Sequence, residues 1–445
     1  MTRLLYVLMK KIGLFIFDHD LRVLDNPALK VLADSVDTLI CLYVHVPQDA
    51  FSQQFSQTQP SAAKLGFLQQ HLVELDENLR LLNQFLVIEH GSVPSVVSNY
   101  IKHYGITDIG RTIHAGFNEQ HHWQYLQATF PAVKFCTHSG SSLFRLADLP
   151  FELADLPKSF TPCRKLFEQL TVPAPLEALT YLPPPLLSTE HKKHDLKPSA
   201  FNRYYNGGEI TAHAYLHHYF SSKAPSIYKE TRNALMGDDF STKLSGFLAH
   251  GALSPRQIMA ALKRYESTQG ANESTYWIYF ELLWREYFYW YARKHQQRLF
   301  SAGGVRQKSL ATSFYPSRFK QWCDGSTPYP LVNALMRELN ETGWMSNRGR
   351  QIVASCFVNE LELDWRYGAA YFEQRLIDYD VGSNWGNWQY LAGVGPDPRG
   401  GRHFHIKKQA ALYDPNNAFV TFWQGDKHCQ AINHTDMVDW PIGAL

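Results

Sequence analysis

Paired cysteines are missing: Cys41, Cys136, Cys163, Cys323, Cys356 and Cys429 are scattered over 445 residues with no CxxC among them. Such spacing suits neither a disulfide framework nor a cysteine-based zinc site, and a reducing, cytoplasmic setting is expected. An excess of one charge is missing too, since 43 Lys and Arg face 41 Asp and Glu. Affinity for nucleic acid would therefore have to come from a local patch. No apolar run is long enough to span a membrane. Leu4 to Met9 is too short for a signal-peptide core, is followed by Lys10 and Lys11, and has no small-residue cleavage site, so Met9 reads as an alternative start. After the first strand the chain runs Asp18-His19-Asp20-Leu21-Arg22 instead of G-x-G-x-x-G, and Walker A, H-E-x-x-H and G-x-S-x-G do not occur. These absences exclude the simplest dinucleotide-binding, NTPase, metalloprotease and α/β-hydrolase readings.

What is present begins with alternation. Strand-like runs at Ile12 to Phe17, Thr38 to Val46, Phe85 to Glu89, Thr107 to Ile113 and Val133 to Cys136 are separated by helical patterns. From Ala62 to Phe85, for example, Leu65, Leu68, Leu72, Leu75, Leu79 and Leu82 recur every three or four residues. The expectation is an α/β domain over 9–135, a doubly wound parallel sheet with helices on both faces. Asp25 and Asn26 are its first helix-cap candidates, ahead of Pro27. Residues 136–200, with Pro173, Pro175 and Pro183-Pro184-Pro185, read as a long connector. From 201 to 432 helical segments dominate, so the second and larger domain is expected to be all-α.

Histidines give little. His213 and His217 stand four apart on a helical stretch with no third ligand suggested, and His403 and His405 add nothing, so no metal is expected. The helical half holds four denser clusters. Tyr228 to Asn233 precedes Ser241-Thr242-Lys243-Leu244-Ser245, whose hydroxyls, amides and Lys suit a phosphate or an ordinary helix cap. Glu281, Trp284 and Arg285 occupy adjacent helical positions, read equally as a core Trp beside an i,i+4 ion pair. Asn347 and Arg350 open a helix, and Asp378, Asp380, Asn384 and Asn387 are interleaved with Trp385, Trp388 and Tyr390. With 11 Trp, 24 Tyr and 27 Phe, aromatic packing is the bland explanation. Carboxylates, arginines and amides converging there would instead suit a planar heterocycle with a pyrophosphate tail, or stacked bases.

At these clusters the chain resembles the photolyase–cryptochrome family, and within it the cryptochrome-DASH branch, from the first strand to about Trp423. The resemblance implies an α/β antenna domain joined to a helical domain that binds FAD. By position it gives Tyr228, Ser241, Thr242, Lys243, Leu244 and Ser245 to the cofactor's phosphates. Arg285, Asn347, Arg350, Asp378, Asp380 and Asn384 go to the flavin half, with Asn384 facing N5. Glu281, Trp284, Asn347 and Tyr390 become the floor and wall of a lesion pocket. The catalytic set is then Glu281, Asn384, Trp388 and Trp365, the two tryptophans being the proximal and middle members of an electron wire. A third Trp is expected near Thr312, where Phe314 and Tyr315 are the nearest aromatics and Trp322 an alternative relay. The implied activity is that of a deoxyribodipyrimidine photo-lyase: blue-light electron transfer from reduced FAD to cyclobutane pyrimidine dimers. Tyr390 in place of a Trp points to single-stranded DNA, since base–aromatic stacking is worth about 1–3 kcal/mol and extrusion is easiest from a single strand. Asn347 and Gln351, where the (6-4) branch carries histidines, argue against that lesion. Asn118-Glu119 is similar to the segment that contacts a 5,10-methenyltetrahydrofolate antenna, though Glu119 also reads as a first-turn helix residue. The partner is single-stranded DNA with pyrimidine dimers, bound by a monomer through a basic groove drawn from Arg293, Lys294, Arg298, Arg306, Lys308, Arg318, Lys320, Arg348, Arg399, Arg402, Lys407 and Lys408. The alternatives are a blue-light signalling cryptochrome with little repair, which the short stretch beyond Trp423 disfavours, and a nucleotide-binding protein of non-photochemical redox chemistry.

Overall fold

The computed structural model describes residues 10–46, 59–188, 206–310, 312–313, 315–397, 401–432 and 441–442; Met9, Phe314 and Arg399 lie outside these. Five short runs rich in branched and aromatic residues form one parallel sheet: β1 (Ile12–Phe17), β2 (Thr38–His45), β3 (Leu86–His90), β4 (Asp108–Thr112) and β5 (Lys134–His138). Their order is β3-β2-β1-β4-β5. A strand buried on both faces reads as a continuous apolar run, and β1 alternates its side chains between two cores. Phe15 and Phe17 pack with Leu29, Leu32, Leu72, Leu75 and Leu79, from the Pro27–Ala33 and Ala62–Leu81 helices. Leu14 and Ile16 pack on the opposite face with Val97, Ile101, Trp123 and Leu126, from the Val93–Tyr104 and Phe117–Thr129 helices. The doubly wound α/β domain expected from the periodicity is thus present, with a crevice between β1 and β4 where the strand order reverses.

Local reading overshoots in two places. The leucine-rich helix stops at Leu81 because Asn83 takes a positive φ of 57°, and the Gln84 amide then donates to the Leu39 carbonyl at 3.3 Å. Asn26 caps the first helix by accepting from the Leu29 amide at 3.1 Å. Asp25 is drawn away to the helical half, where Arg256 donates to both its oxygens at 3.1 Å.

The second half is helical, and its core is the largest in the molecule. The residues between the halves are more than a tether. Leu143, Phe144, Leu156 and the buried face of a Phe160–Phe167 helix belong to the helical core, while the Leu39 amide donates to the Pro184 carbonyl at 3.1 Å. Contacts between the halves fall heavily on main-chain groups. The Leu21 amide donates to the His250 carbonyl at 2.9 Å, and Arg22 donates to the Gly251 and Gly140 carbonyls at 2.8 and 2.7 Å. Glu209 accepts from the Val23 and Leu24 amides, and Glu286 from the Leu143 and Phe144 amides. No helix among the described residues is long and apolar enough to cross a membrane.

Candidate functional site

A cavity of about 630 Å³ opens in the helical half, a size within the range of about 300–1,000 Å³ usual for small-molecule and cofactor sites. The Val381–Ala392 helix forms one wall. Asp380 caps it by accepting from the Ser383 amide at 2.7 Å, which places Asn384 and Trp388 one turn apart along the cavity. Glycine lets this helix lie against the Glu273–His295 helix, because a Cβ at Gly386 would come within 2.3 Å of the Phe288 ring. On the facing side Ser346 caps the Asn347–Ser355 helix, so that Arg350 projects one turn in. Its Nη2 donates to Asp378 Oδ2 at 2.7 Å, and its Nε is held by the Met345 carbonyl at 2.9 Å. The Asp378 side chain is 1% exposed, yet its Oδ1 has no hydrogen-bond partner among the described residues. Burial disfavours charge on Asp380, but Arg285 and the Ser383 hydroxyl and amide outweigh it and hold the carboxyl below the usual carboxylate range.

The polar run Ser241 to Ser245 forms another wall, with Lys243 in a left-handed turn at φ 49°. The short helix that follows it, Ser245–Ala249, begins at Leu244 with no side-chain cap, so the hydroxyls are not spent on capping. The i,i+4 pairing of Glu281 with Arg285 does not form. Arg285 donates to the Ser141 carbonyl at 2.6 Å, and Glu281 pairs with Arg232. Desolvation raises the Glu281 pKa while Arg232 opposes it.

Of the eighteen residues assigned to cofactor, lesion pocket, electron wire or antenna, sixteen line this one cavity: Tyr228, Ser241, Thr242, Lys243, Leu244, Ser245, Glu281, Trp284, Arg285, Asn347, Arg350, Asp378, Asp380, Asn384, Trp388 and Tyr390. Two do not. Trp365 lies behind the wall with its Nε1 donating to the Ala302 carbonyl at 3.0 Å and its ring 5.8 Å from Trp385. Glu119 sits on the α/β domain in the first turn of the Phe117–Thr129 helix, 3.3 Å from His114 Nδ1. Trp388 instead reaches Trp322, 6.3 Å away between ring centroids, with Phe357 between them at 5.6 and 4.7 Å. Phe357 belongs to a π-helical turn, Cys356–Glu360, a feature frequent at functional sites. Thr312 falls on a two-residue strand, and Tyr315 is buried under the Arg318 guanidinium at 3.5 Å.

The basic groove needs correction. Arg318 is 3% exposed, Arg293 lies over Trp290, and Lys294 donates to the Leu156 carbonyl at 3.0 Å, so aromatic and main-chain partners absorb these three. Sequence reasoning gave no role to Arg232, whose guanidinium lies 4.2 Å above the Trp277 ring, and Arg402, assigned there to the basic groove, lies 4.8 Å above Tyr390 in the cavity lining. It also missed Phe160, stacked on Trp284 at 3.7 Å with an interplanar angle of 13°. Arg232 stands inside the Tyr228 to Asn233 cluster, the one signal that pointed to it.

The FAD binding domain of DNA photolyase matches residues 277–427, and the DNA photolyase domain matches residues 14–182. Over 437 residues the chain is 49% identical to the Cryptochrome DASH of Idiomarina loihiensis, covering 97% of each. The Cryptochrome DASH of Vibrio parahaemolyticus is also 49% identical over 441 residues, 97% of this chain and 98% of that one. The chain belongs to the cryptochrome DASH family. Among solved structures, the Synechocystis cryptochrome superposes with a TM-score of 0.84 at 36% identity, covering 94% of this chain and 91% of its own. A class III photolyase from Agrobacterium tumefaciens gives 0.80 at 25% identity, over 95% and 88%. The cavity fits the FAD that the family's domain implies. The unpartnered Asp378 Oδ1 offers a buried acceptor, Arg350 and Arg285 supply positive charge, and the Ser241 to Ser245 hydroxyls suit a pyrophosphate. The acceptor and arginines would hold the ring system, and the hydroxyls the phosphates.

Proposed function

We propose that the protein is a blue-light-driven lyase that splits cyclobutane pyrimidine dimers, with preference for single-stranded DNA. The observation that supports this most is the sharing of one cavity by the Asp378–Arg350 pair and the Glu281, Trp284 and Tyr390 side chains. Bound FAD supplies the light absorption and the one-electron chemistry. The protein's own part is electrostatic and positional. A fixed arginine–carboxylate pair in a buried wall stabilises negative charge on the adjacent ring without reorganising. Trp284 and Tyr390, 5.9 Å apart and nearly perpendicular at 79°, form a corner for an extruded base pair. The Arg232 guanidinium offers donors to the carbonyl edge of that pair, and Glu281, whose carboxyl desolvation raises against the pull of Arg232, would add one when protonated. Asn384, its amide held by the Ala369 carbonyl at 3.0 Å, lines the cavity and would present a fixed polar group to the bound cofactor. Trp388 and Trp365 carry electrons inward, with Trp322 as the relay beside Trp388. Residues 9–135 form the antenna unit, 136–200 its connector and 201–432 the catalytic unit. A folate at Glu119 would have to take that carboxylate from His114.

The test is dimer splitting under blue light on matched single-stranded and duplex oligonucleotides, with Glu281→Gln and Trp284→Ala alongside. Repair of the single strand at a higher rate, reduced in both variants, supports the reading. Equal repair of both substrates, or repair untouched by the variants, refutes it. One observation favours a photoreceptor instead: Phe160 covers a face of Trp284 on which a base would otherwise stack. A photoreducible flavin with no splitting of either substrate would establish that alternative.

A further inference from the structure

At the carboxyl ends of β1 and β4 the chain gathers two imidazoles and two carboxylates, of which only Glu119 has a role above. Asp18 and His19 follow β1, and His114 and Glu119 follow β4. This is the crevice where strand order reverses, the place in open parallel sheets where ligands bind. One ligand atom each from Asp18, His19 and His114 lies within 4.8 Å of the others, and the two imidazole rings are 4.3 Å apart. His19 Nδ1 is buried and lies 2.8 Å from Asp18 Oδ1, an ion pair that already brings the imidazole against the carboxylate. Glu119 Oε2 stands 3.3 Å from His114 Nδ1, a nitrogen that also accepts from the Gly116 amide at 3.0 Å, so both groups fix the ring. Asp18, Glu119 and the nearby buried Asp20 face the guanidiniums of Arg111 and Arg22 and the imidazolium of His19, so a cation would enter by displacing the His19 proton and taking its place beside Asp18.

We infer that Asp18, His19 and His114 bind a divalent transition-metal cation of the zinc type, with Glu119 positioning the His114 ring. Two imidazoles and a carboxylate are a set that zinc and its neighbours accept. Tetrahedral bonds of about 2.0–2.2 Å put ligand atoms about 3.3 Å apart, so side-chain movements of about 1 Å close the set. The consequence is structural. Ser141 Oγ donates to the His19 carbonyl at 3.5 Å and the Tyr289 hydroxyl to the Ile113 carbonyl at 3.3 Å. A cation joining the two loops would therefore fasten the surface on which the helical half rests. The ligands come from positions about a hundred residues apart, which is why no spacing motif announces them.

The experiment titrates the chelator-treated, flavin-loaded full chain with Zn²⁺ alone in a calorimeter, and with Co²⁺ followed by visible absorption. One cation per chain is expected, with tetrahedral Co²⁺ bands and a raised unfolding midpoint. Binding should disappear in His19→Asn and in His114→Gln, weaken about 10–100-fold in Glu119→Gln, and persist in a His213→Gln, His217→Gln double variant. No binding, or binding lost only in the His213 and His217 variant, overturns the inference. X-ray absorption of the Zn²⁺-loaded wild type needs no variant. Two imidazole nitrogens in the coordination sphere support the site, and sulfur-containing or all-oxygen coordination refutes it. Since flavin content and photoreduction are read independently, failure here leaves the proposed function standing.

Discussion

Asp378→Asn isolates what the buried carboxylate does, because it removes a charge while keeping the shape. In the free protein Asp378 Oδ2 accepts from Arg350 at 2.7 Å, and Oδ1 accepts from nothing among the described residues. A hydrogen bond to a charged group is worth about 1.5–3 kcal/mol, but here half of the carboxylate's desolvation is uncompensated. The variant should therefore lose only about 1 kcal/mol of stability without cofactor, the weaker pairing being offset by relief of the unpaired oxygen. With FAD bound, Oδ1 gains its partner, and the substitution forfeits a second charge-assisted bond. That difference of about 1.5–3 kcal/mol corresponds to a rise in FAD Kd of about 10–100-fold. Denaturant melts of the apo protein and flavin-fluorescence titration measure the two quantities separately. If FAD binding changes by less than twofold, or the apo protein loses as much as the holo protein, the assignment of Oδ1 as a cofactor acceptor is wrong.

Three further outcomes are expected. Trp388→Phe should remove most light-driven flavin reduction while leaving FAD content intact, and unchanged bleaching kinetics under reductant would rule Trp388 out as the inner relay. Asp25→Ala strips a carboxylate whose side chain is fully buried from Arg256, itself 8% exposed, and losing one partner of such a pair costs about 3–5 kcal/mol; a urea midpoint close to wild type would contradict this. Acid should loosen the join near the cofactor. His250 is lowered to about 3 by burial and by the charges of His19 and Lys64, while its Nε2 meets the Ile377 carbonyl at 3.0 Å. The unfolded chain then binds the extra proton first, so stability falls as pH drops below about 6.5 and continues to fall toward 3. The loss is about 1 kcal/mol by pH 5.5. His250→Gln keeps a donor for that carbonyl and removes the titration, so its urea midpoint should fall less between pH 7 and 5.5, and an equal fall would refute the argument.

What the sequence revealed was local periodicity and local polarity. The β1 run Ile12 to Phe17 needs no partner to be read as a strand, and Asp378 and Asn384 stand out because polar groups interleaved with tryptophan ask for a reason. What stayed hidden depends on distant partners. Asp25 reads as a cap until Arg256, 231 positions away, takes it. Glu281 and Arg285 read as an i,i+4 pair until Ser141 and Arg232 offer better-placed partners. Nor does any local pattern foretell the π-helical turn at Cys356–Glu360 that sets Phe357 between Trp322 and Trp388. The family match recovered the cavity lining because it carries the positions as a set, but it was silent on Phe160, which enters from the connector.

The join between the halves has a bearing on which changes the chain tolerates. Arg285 grips the carbonyl of residue 141, and Glu286 grips the amides of residues 143 and 144. These partners are main-chain groups, so replacements along 141–144 that keep the backbone N–H groups and the buried apolar bulk of Leu143 and Phe144 leave the cofactor wall in register. Adding or removing one residue there is a different event. It moves carbonyl and amides together by up to about 3.8 Å, unseating two neighbouring side chains on the helix that presents Glu281 and Trp284. The segment is thus a ruler, whose length matters more than its lettering.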